Sequence, residues 1–278
     1  MMELYTRRRL INRINMTASV LTTLAGLFFL AWILTVLVMK GVSVIDWDLF
    51  TQMTPPPGSE GGIANALIGS LMLTLAAVVI GTPIGILAGT YLAEYGKSGA
   101  FPEIVRTIND VLLSAPSIII GVFVYELMVV RQGHYSGWAG SVALAIIVIP
   151  VVLRTTENML KLVPTQMREA AAALGAPQWM VIMQVVYKAA VAGMVTGIIL
   201  ATARITGETA PLLFTALNNQ FWTLNMNEPI ANLPVVIFQF AMSPYDDWRE
   251  LAWAAALLIT VLVLGMNILA RSLLRGHK

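Results

Sequence analysis

The sequence contains no cysteine and little charge. Of its 278 residues, 12% are charged and 58% are apolar, whereas an ordinary soluble domain carries about 25% charged residues. The missing cysteines exclude disulfides, thiol nucleophiles and cysteine-ligated metals. So few charged side chains cannot cover a surface that faces water, and we therefore expect most of the exterior to face lipid.

Signatures of catalysis and of cofactor binding are also missing. The two histidines, His134 and His277, lie far apart in polar segments, so a histidine-ligated metal site is not expected. The sequence has neither an H-E-x-x-H nor a G-x-S-x-G pattern. The triplet at 96–98 (GKS) is like the end of a phosphate-binding loop, but Tyr91 stands where that motif needs its first glycine. We therefore expect no enzymatic activity, no metal and no ATP site in this chain.

Six apolar stretches are long enough to cross a membrane as helices, for which about 20 apolar residues are needed. The first follows a basic cluster, as in a signal peptide, but it exceeds the ~7–15 residues of a signal core and no cleavage site follows it. Because no ten-residue alternation indicates a barrel, helices are the structure that satisfies the backbone in lipid. The sequence thus predicts an all-α fold with transmembrane helices at 17–39, 63–92, 107–130, 138–153, 191–217 and 249–271.

Basic residues are distributed unequally between the two sides of these six spans. Thirteen of the 17 lysines and arginines lie on the side of the two termini, and three (Lys40, Arg131 and Arg249) lie on the other side. Because positively charged loops stay in the cytoplasm, both termini are predicted to be cytoplasmic. We divide the chain into a basic cytoplasmic N-terminus at 1–16 and a single transmembrane domain at 17–278. The remaining basic residue, Arg204, falls inside the fifth span.

Small residues and prolines predict how the spans pack. Glycines spaced four residues apart let helix backbones approach closely, and prolines inside a span bend it. Close packing is predicted at Gly81, Gly85, Gly89, Gly193 and Gly197, and bends are predicted at Pro83, Pro116 and Pro211.

The segment at 154–188, between the fourth and fifth spans, is predicted to form two short amphipathic helices in the cytoplasm. Pro164 suits the start of the first helix and Pro177 the start of the second, because proline is tolerated in a first helical turn. Gly175 between them suits a left-handed helix cap. The alanines of the first helix would allow a partner to dock closely, and Glu169 would offer that partner a charge. An ordinary interfacial helix would show the same features.

The pattern E-A-A-x-x-x-G occurs in this segment, at Glu169, Ala170, Ala171 and Gly175. It resembles the loop of ABC-importer permeases that forms a coupling helix in a groove of the ATPase subunit. The resemblance implies a coupling segment at 154–190. The chain departs from the family pattern at Tyr187 and Lys188, where a hydrophobic residue and a proline are common, so the geometry at the end of the segment is expected to differ.

Four other segments extend the resemblance over nearly the whole chain. They are 114–118 (SAPSI), 154–158 (RTTEN), 204–214 (RITGETAPLLF) and 230–234 (IANLP), and they resemble the PstA-type permeases of bacterial phosphate importers. This resemblance implies a type I-like ABC-importer permease fold and a multi-pass, non-catalytic subunit in the bacterial inner membrane. As partners it implies a homologous second permease, two ATPase subunits that bind ATP and Mg, and an extracytoplasmic phosphate-binding protein. It implies no cofactor in this chain.

Arg204 is the strongest candidate for a substrate contact. A charge at membrane depth costs from roughly 2.5 to above 10 kcal/mol, and Arg204 lies eight or more residues from either predicted end of the fifth span. Glu208, four residues later, is predicted to share its helical face. Either the pair only pins helices together, or Arg204 offers its planar fork to phosphate, as the resemblance implies, while Glu208 moderates the charge. Nearby threonines could add hydroxyl donors or bond back to the helix (Thr202, Thr206 and Thr209).

Arg154, at the predicted cytoplasmic end of the fourth span, is a second candidate for the substrate pathway. It is equally suited to anchor that end of the span at the membrane surface. Asp110 and Glu126 in the third span have no evident role. We expect these two carboxylates to pair with basic residues of a partner permease.

Two other functions are compatible with the sequence. A permease for another oxyanion, such as sulfate or molybdate, would share the coupling loop and would differ around Arg204 and Glu208. A secondary transporter or a channel would work without ATP and would need no docking loop. Such folds commonly show paired inverted repeats, which we do not find in this sequence. An intramembrane enzyme would need a nucleophile paired with a base, or a metal cluster, and we find neither constellation in this sequence.

Overall fold

The structure, a computed structural model, describes residues 2–96 and 99–275. Lys97 and Ser98 of the GKS triplet, His277, and the basic residue Lys278 lie outside the described residues. Within these ranges the chain forms eleven helices and no strand. The prediction of an all-α fold is confirmed.

The helices are numbered in chain order. They are α1 (Met2–Val42), α2 (Asp48–Thr51), α3 (Ala64–Tyr95), α4 (Ala100–Ser114), α5 (Ser117–Gln132), α6 (Gly137–Leu162), α7 (Thr165–Ala173), α8 (Gln178–Thr206), α9 (Ala210–Thr215), α10 (Leu233–Ala241) and α11 (Asp246–Arg275). Helices α3, α5 and α8 each contain a π-helical turn, at Tyr91–Tyr95, Tyr125–Val129 and Ile182–Val186. Such turns interrupt regular α-helical hydrogen bonding and are frequent at functional sites.

Five of the described helices are long and apolar enough to cross a membrane: α1, α3, α6, α8 and α11. Helices α4 and α5 pass the same test together, as one bent span. The predicted number of six spans is met when this bent pair is counted. The predicted basic N-terminus at 1–16 continues into the first span, because its described part is helical and belongs to α1.

The predicted third span, 107–130, is not a continuous helix. The chain bends by 104° between α4 and α5, where Ala115 is extended and Pro116 follows. Proline disfavours helical geometry in the residue before it. The bend predicted at Pro116 is therefore confirmed and the continuous span is wrong, whereas Pro83 lies inside α3 without ending that helix.

The predicted fifth span, 191–217, is displaced and broken. Helix α8 begins at Gln178 and ends at Thr206, and the non-helical residues 207–209 separate it from α9. Pro211 prevents a continuous helix, because it has no N–H for the carbonyl of Gly207 and its ring meets that carbonyl. The stretch after Pro177 is thus the start of a long membrane helix and not a second short amphipathic helix.

Helices α3 and α6 form the centre of the bundle and pack at very short distance. A Cβ atom on Gly89 would lie 2.6 Å from the carbonyl oxygen of Leu153, and one on Gly85 would lie 2.8 Å from the Cβ atom of Val152. Gly81 faces α6 in the same way one turn earlier. We call Gly81, Gly85 and Gly89 the glycine seam. The close packing predicted from their spacing is confirmed.

Helix α8 packs on the next part of α6 through two further glycines, as predicted. Gly193 lies against Met159, and Gly197 lies against Thr155. Residue numbers rise along α8, from 193 to 197, while those of the contacted residues on α6 fall, from 159 to 155. The two helices are therefore antiparallel. The last turns of α3 and α6 lie at one end of the bundle together with α7, and we call this the α7 end.

The opposite end of the bundle, which we call the loop end, contains 43–63 and 216–232. Asn232 caps the start of α10 there: its side-chain oxygen accepts a hydrogen bond from the N–H of Val235, and its amide donates to the carbonyl of Leu217 at 3.0 Å. An asparagine cap satisfies backbone donors that the first helical turn leaves free. The IANLP segment thus shapes the loop end, and α10 was not predicted.

Helix α1 stands apart from the rest of the chain. Only 6% of the residues in its most apolar stretch are buried in the single chain. Its contact with the bundle is near its end, where Gly41 packs against Leu257 and Trp253 of α11. An apolar helix with so few partners leaves a long surface for lipid or for another subunit.

The orientation of the bundle can be measured with single cysteines, since the chain has none of its own. We expect Ser59→Cys and Asn227→Cys, both exposed at the loop end, to react with a membrane-impermeant maleimide in intact spheroplasts. Gln166→Cys, exposed on α7, should react only after lysis, because the positive residues around it favour the cytoplasm. Labelling of Gln166→Cys from outside would overturn the predicted orientation.

Candidate functional site

Arg204 lies at the end of a helix, and its predicted position eight or more residues from both helix ends is wrong. It occupies the last turn of α8, which ends at Thr206, where the helix dipole favours a cation. It follows Gly197 by seven residues, or about 10 Å along the axis. This offset brings it to the depth of Val148, close to the middle of α6. The charge therefore lies at mid-depth, beside a helix break.

Glu208 does not share a helical face with Arg204, contrary to the prediction, because α8 ends between them. It lies in the break, and its N–H donates to the carbonyl of Ile205 at 3.2 Å. Arg204 Nε and Glu208 Oε1 are 4.0 Å apart, which permits an ion pair but not a hydrogen bond. The Arg204 side chain is 48% exposed in the single chain. Its donors remain available for another anion.

Two of the nearby threonines face away from Arg204. Thr202 and Thr206 are two residues before and after it, and therefore lie on the opposite side of α8. Each hydroxyl donates to the carbonyl four residues earlier, at 2.8 Å. Both line an apolar cavity of about 520 Å³ between α3, α8 and α11. Bonding back to the helix is thus the arrangement found, and Thr209 lies in the break next to Glu208.

Arg154 lies within α6 and not at its end, because that helix continues to Leu162. Its side chain is 45% exposed in the single chain, and its Nη1 atom is 3.9 Å from Asp110 Oδ1. Asp110 therefore has a basic partner within this chain, which corrects the expectation that it pairs with a partner permease. Glu126 is exposed in the π-helical turn of α5, and its pairing with another subunit remains a prediction.

Glu157 forms the centre of a charged cluster that the sequence reasoning missed. Its side chain is 1% exposed, and its Oε1 atom accepts hydrogen bonds from Arg106 Nε at 2.9 Å and Lys161 Nζ at 2.6 Å. Its Oε2 atom is 4.0 Å from Arg154 Nη1. With Asp110, the cluster has three basic and two acidic side chains. The four-residue spacing of Glu157 and Lys161, which favours an ion pair on a helix, was the available signal.

Helix α7 has the ends that were predicted for it. It begins after Pro164 and ends at Ala173. Gly175 has a φ of +85°, a left-handed conformation that disfavours other residues. The N–H of Gly175 donates to the carbonyl of Ala172 at 2.9 Å, and the next N–H donates to Ala171 at 3.3 Å. These bonds satisfy carbonyls that the helix end leaves free.

The surface of α7 is largely uncovered in the single chain. Glu169 and Ala170 are exposed and Ala171 is partly exposed. Leu174, directly before Gly175, is 89% exposed, and the apolar side chains of Met167 and Trp179 are exposed as well. Exposed apolar side chains of this size are a feature of interaction sites when they group together. Leu174 was not singled out from the sequence because an apolar residue after a helix is usually part of a core.

Among the residues that the structure describes, no candidate metal centre accompanies these sites. Within residues 2–96 and 99–275, no group of three or more histidine, cysteine, aspartate or glutamate side chains could hold a metal ion. The candidate sites offer the donors of Arg204, which is 48% exposed, and the exposed surface of α7.

Comparison with known families gives the class of protein. Residues 81–277 match the family described as the binding-protein-dependent transport system inner membrane component. This range includes Arg154, Arg204, Glu208 and all of α7. The match therefore covers both the candidate pathway and the E-A-A-x-x-x-G loop.

Individual relatives narrow the assignment. The phosphate transport system permease protein PstA of Haemophilus influenzae is 58% identical over 271 residues, which are 98% of this chain and 96% of the relative. PstA of Yersinia pestis is 58% identical, over 98% of this chain and 92% of the relative. PstA of Xylella fastidiosa strain Temecula1 is 57% identical, over 99% of this chain and 96% of the relative. The chain belongs to the PstA family of phosphate transport permeases, which confirms the resemblance drawn from the motifs.

Solved structures show the same fold. The MetNI methionine ABC transporter in its inward-facing conformations is similar with a TM-score of 0.60 and 21% identity, over 77% of this chain and 93% of that chain. An amino acid ABC transporter is similar with a TM-score of 0.54 and 18% identity, over 77% and 92%. At this identity the likeness concerns the fold alone, and the predicted ABC-importer permease fold is confirmed.

Proposed function

We propose that the chain is the permease subunit of an ATP-driven phosphate importer and forms half of its translocation pathway. The observation that carries this proposal is the position of Arg204, with unused donors at mid-depth beside a helix break. Helix breaks of this kind are tolerated at membrane depth where the backbone lines a cavity or is buried in protein. The phosphate names of relatives at 57–58% identity support the choice of substrate.

Arg204 recognises phosphate through its guanidinium fork. Two parallel N–H donors match two oxygens of an oxyanion, which a lysine cannot do. Glu208 stands 4.0 Å away and lowers the positive potential when the pathway is empty, so that phosphate is released as well as bound. Arg154 acts as a second contact on the way out, towards the α7 end. Its exposed side chain and the basic excess of the Glu157 cluster support this role.

Helix α7 couples the permease to ATP hydrolysis. Its exposed Glu169, Ala170 and Ala171, with the apolar Leu174 and the turn at Gly175, suit a groove on an ATPase subunit. ATP and Mg are bound by two such subunits, and this chain contributes no catalytic residue. It converts their closure into opening of the pathway to one side.

The remaining partners follow from the surfaces left uncovered. A homologous second permease completes the pathway opposite Arg204, and the exposed length of α1 supports an extensive contact with it. An extracytoplasmic phosphate-binding protein delivers substrate at the loop end. The complex lies in the bacterial inner membrane with both termini in the cytoplasm, as the family description and the distribution of basic residues support.

Two alternatives differ in measurable ways. A sulfate or molybdate permease would retain α7 and would respond to a different anion. A secondary transporter would carry its substrate without ATP and would not need α7. The family membership favours phosphate over the first alternative and an ATP-driven mechanism over the second.

Purification of the chain with its co-purifying subunits tests the proposal. In nanodiscs with the phosphate-binding protein, we expect phosphate to stimulate ATP hydrolysis about tenfold, within the usual range of coupling between distant sites. ADP release should be measured, because phosphate is itself a product of the reaction. Equal stimulation by sulfate or molybdate would favour the first alternative, and uptake that persists without ATP would favour the second.

A further inference from the structure

The last turn of α3, at the α7 end of the bundle, carries a buried carboxylate that has no role in the proposed pathway. Glu94 lies in the π-helical turn at Tyr91–Tyr95, and its side chain is 6% exposed. A buried carboxylate is stable only when it is paired and hydrogen-bonded. Its partner therefore identifies the element to which this end of α3 is fastened.

That partner is Arg168, in the first half of α7. Arg168 Nη2 donates to Glu94 Oε1 at 2.6 Å, and Arg168 Nε donates to Glu94 Oε2 at 3.1 Å. This is a bidentate pair, which fixes direction as well as distance. Sequence reasoning counted Arg168 only as one of the positive residues that set the orientation of the chain.

The same guanidinium also holds the end of α6. Its Nη2 donates to the carbonyl of Leu160 at 2.8 Å, and its Nη1 donates to those of Val163 at 2.5 Å and Pro164 at 3.5 Å. Leu160 lies in the last turn of α6, Val163 follows that helix and Pro164 directly precedes α7, so these carbonyls mark the junction between the two helices. All five N–H groups of Arg168 are thus used, so that one side chain joins α3, α6 and α7.

The two helices held by Arg168 are also packed against each other. The glycine seam brings α3 against α6 over three turns. Arg106 also joins α3 and α6 at the α7 end of the bundle. Arg106 donates to the carbonyl of Leu92 on α3, to that of Gly96 directly after α3, and to Glu157 on α6. Packed cores are poorly compressible and transmit displacement. A force on α7 that passes through Arg168 therefore reaches α3 and α6 together.

We propose that Glu94 and Arg168 are positioning residues for transport, which carry the displacement of α7 into α3 and α6. The proposal rests on the coupling role of α7 given under Proposed function. Neither residue contacts phosphate or ATP. Their pair converts a movement at the ATPase surface into a movement of the helix that bears Arg154.

Conservative variants test the link. We expect Glu94→Gln and Arg168→Lys to lower phosphate uptake about tenfold or more. This factor lies within the usual size of the coupling between two distant sites. Membrane level, co-purification of the ATPase subunits and basal ATP hydrolysis should stay near the parent values, while stimulation by phosphate is lost. Arg271→Lys is the matched control, because it makes the same conservative change at an exposed arginine of α11, outside the coupling segment, and should leave uptake unchanged. Normal uptake by both variants would overturn the proposal.

A reversible covalent tie separates a mechanical link from a merely structural one. In the double variant Glu94→Cys with Arg168→Cys, a bis-methanethiosulfonate reagent about as long as the lost side chains should restore uptake, and reduction should abolish it again. The tie restores the connection but not the hydrogen bonds to the end of α6. Failure of the tie to restore uptake in an assembled complex would mean that Arg168 serves only as a helix cap. Each single cysteine variant with the same reagent is the control.

The outcome is distinguishable from failure of the coupling proposal itself. If Glu169→Lys leaves ATPase binding and uptake intact, α7 is not the coupling element and both proposals fall. If Glu169→Lys abolishes uptake while the Glu94 and Arg168 variants transport normally, only the link is wrong.

Discussion

Phosphate uptake is expected to fall about a hundredfold or more in the double variant Arg204→Gln with Glu208→Gln, because a charged hydrogen-bond partner contributes up to about 3 kcal/mol at such a site. The complex should still assemble. The ion pair spans 4.0 Å and its arginine is half exposed in the single chain, and pairs of this kind contribute little to stability. Uptake of radiolabelled phosphate, corrected for membrane level, is the measurement.

Arg204→Lys is the matched control for this result. Lysine keeps the charge and loses the fork, so we expect it to retain a fraction of the uptake that glutamine loses. If Arg204 served only to neutralise Glu208, removal of both charges would restore uptake. Near-normal uptake by the double variant would therefore leave a structural ion pair and remove Arg204 from the pathway.

Glu169→Lys is expected to abolish uptake with a similarly large effect, through the partner and not through the substrate. It reverses an exposed charge on α7, the helix where we propose that the ATPase binds. Residues at the centre of such contacts contribute about 2 kcal/mol or more when truncated. Loss of the ATPase subunits on purification, with the permease still in the membrane, is the expected observation.

Variants of Gly175 test whether the left-handed turn after α7 matters for uptake. No atom lies within 4 Å of a Cβ added there, so a side chain has room and the φ of +85° alone is unfavourable. Gly175→Ala costs about 1–2 kcal/mol in that conformation, whereas Gly175→Asn is better tolerated. We expect alanine to impair uptake more than asparagine. Equal uptake by the two variants would show that the left-handed turn is incidental.

The number of spans and the closest contacts were predictable, but the helix ends were not. Hydropathy ends a span where charged residues begin, so it placed the end of the fourth span before Arg154. A helix can continue beyond the apolar core, and α6 does so to Leu162. Pro116 indicated a bend, but its size depends on packing, since Gly121 beyond it lies directly against Pro211 of α9. Such tertiary contacts leave no local trace in the sequence.

The candidate site divides in the same way. Arg204 was conspicuous because an arginine in an apolar run is unfavourable, and Glu169 was found through its motif. The relation of Arg204 to Glu208 was predicted wrongly because both residues were assumed to lie on one continuous helix. Pro211 was the local signal that the helix breaks between them. Glu94 and Arg168 lie 74 residues apart. Glu94 follows the predicted second span and Arg168 lies in the predicted cytoplasmic segment, and both are ordinary places for a charge. Only the fold brings them together.

The glycine seam has a practical consequence for mutational surveys of this protein. Replacement by alanine is usually the mildest probe, because it removes side-chain atoms from larger residues. At glycine it adds a methyl group instead. At Gly81, Gly85 and Gly89 it adds a methyl group where the opposing helix is already within 3.1 Å. Alanine variants at these positions push the two helices apart. The loss of uptake that they cause reports how closely the helices must pack. A survey that ranked residues by loss of uptake would place these three beside Arg204, although they face the opposing helix and not the proposed pathway.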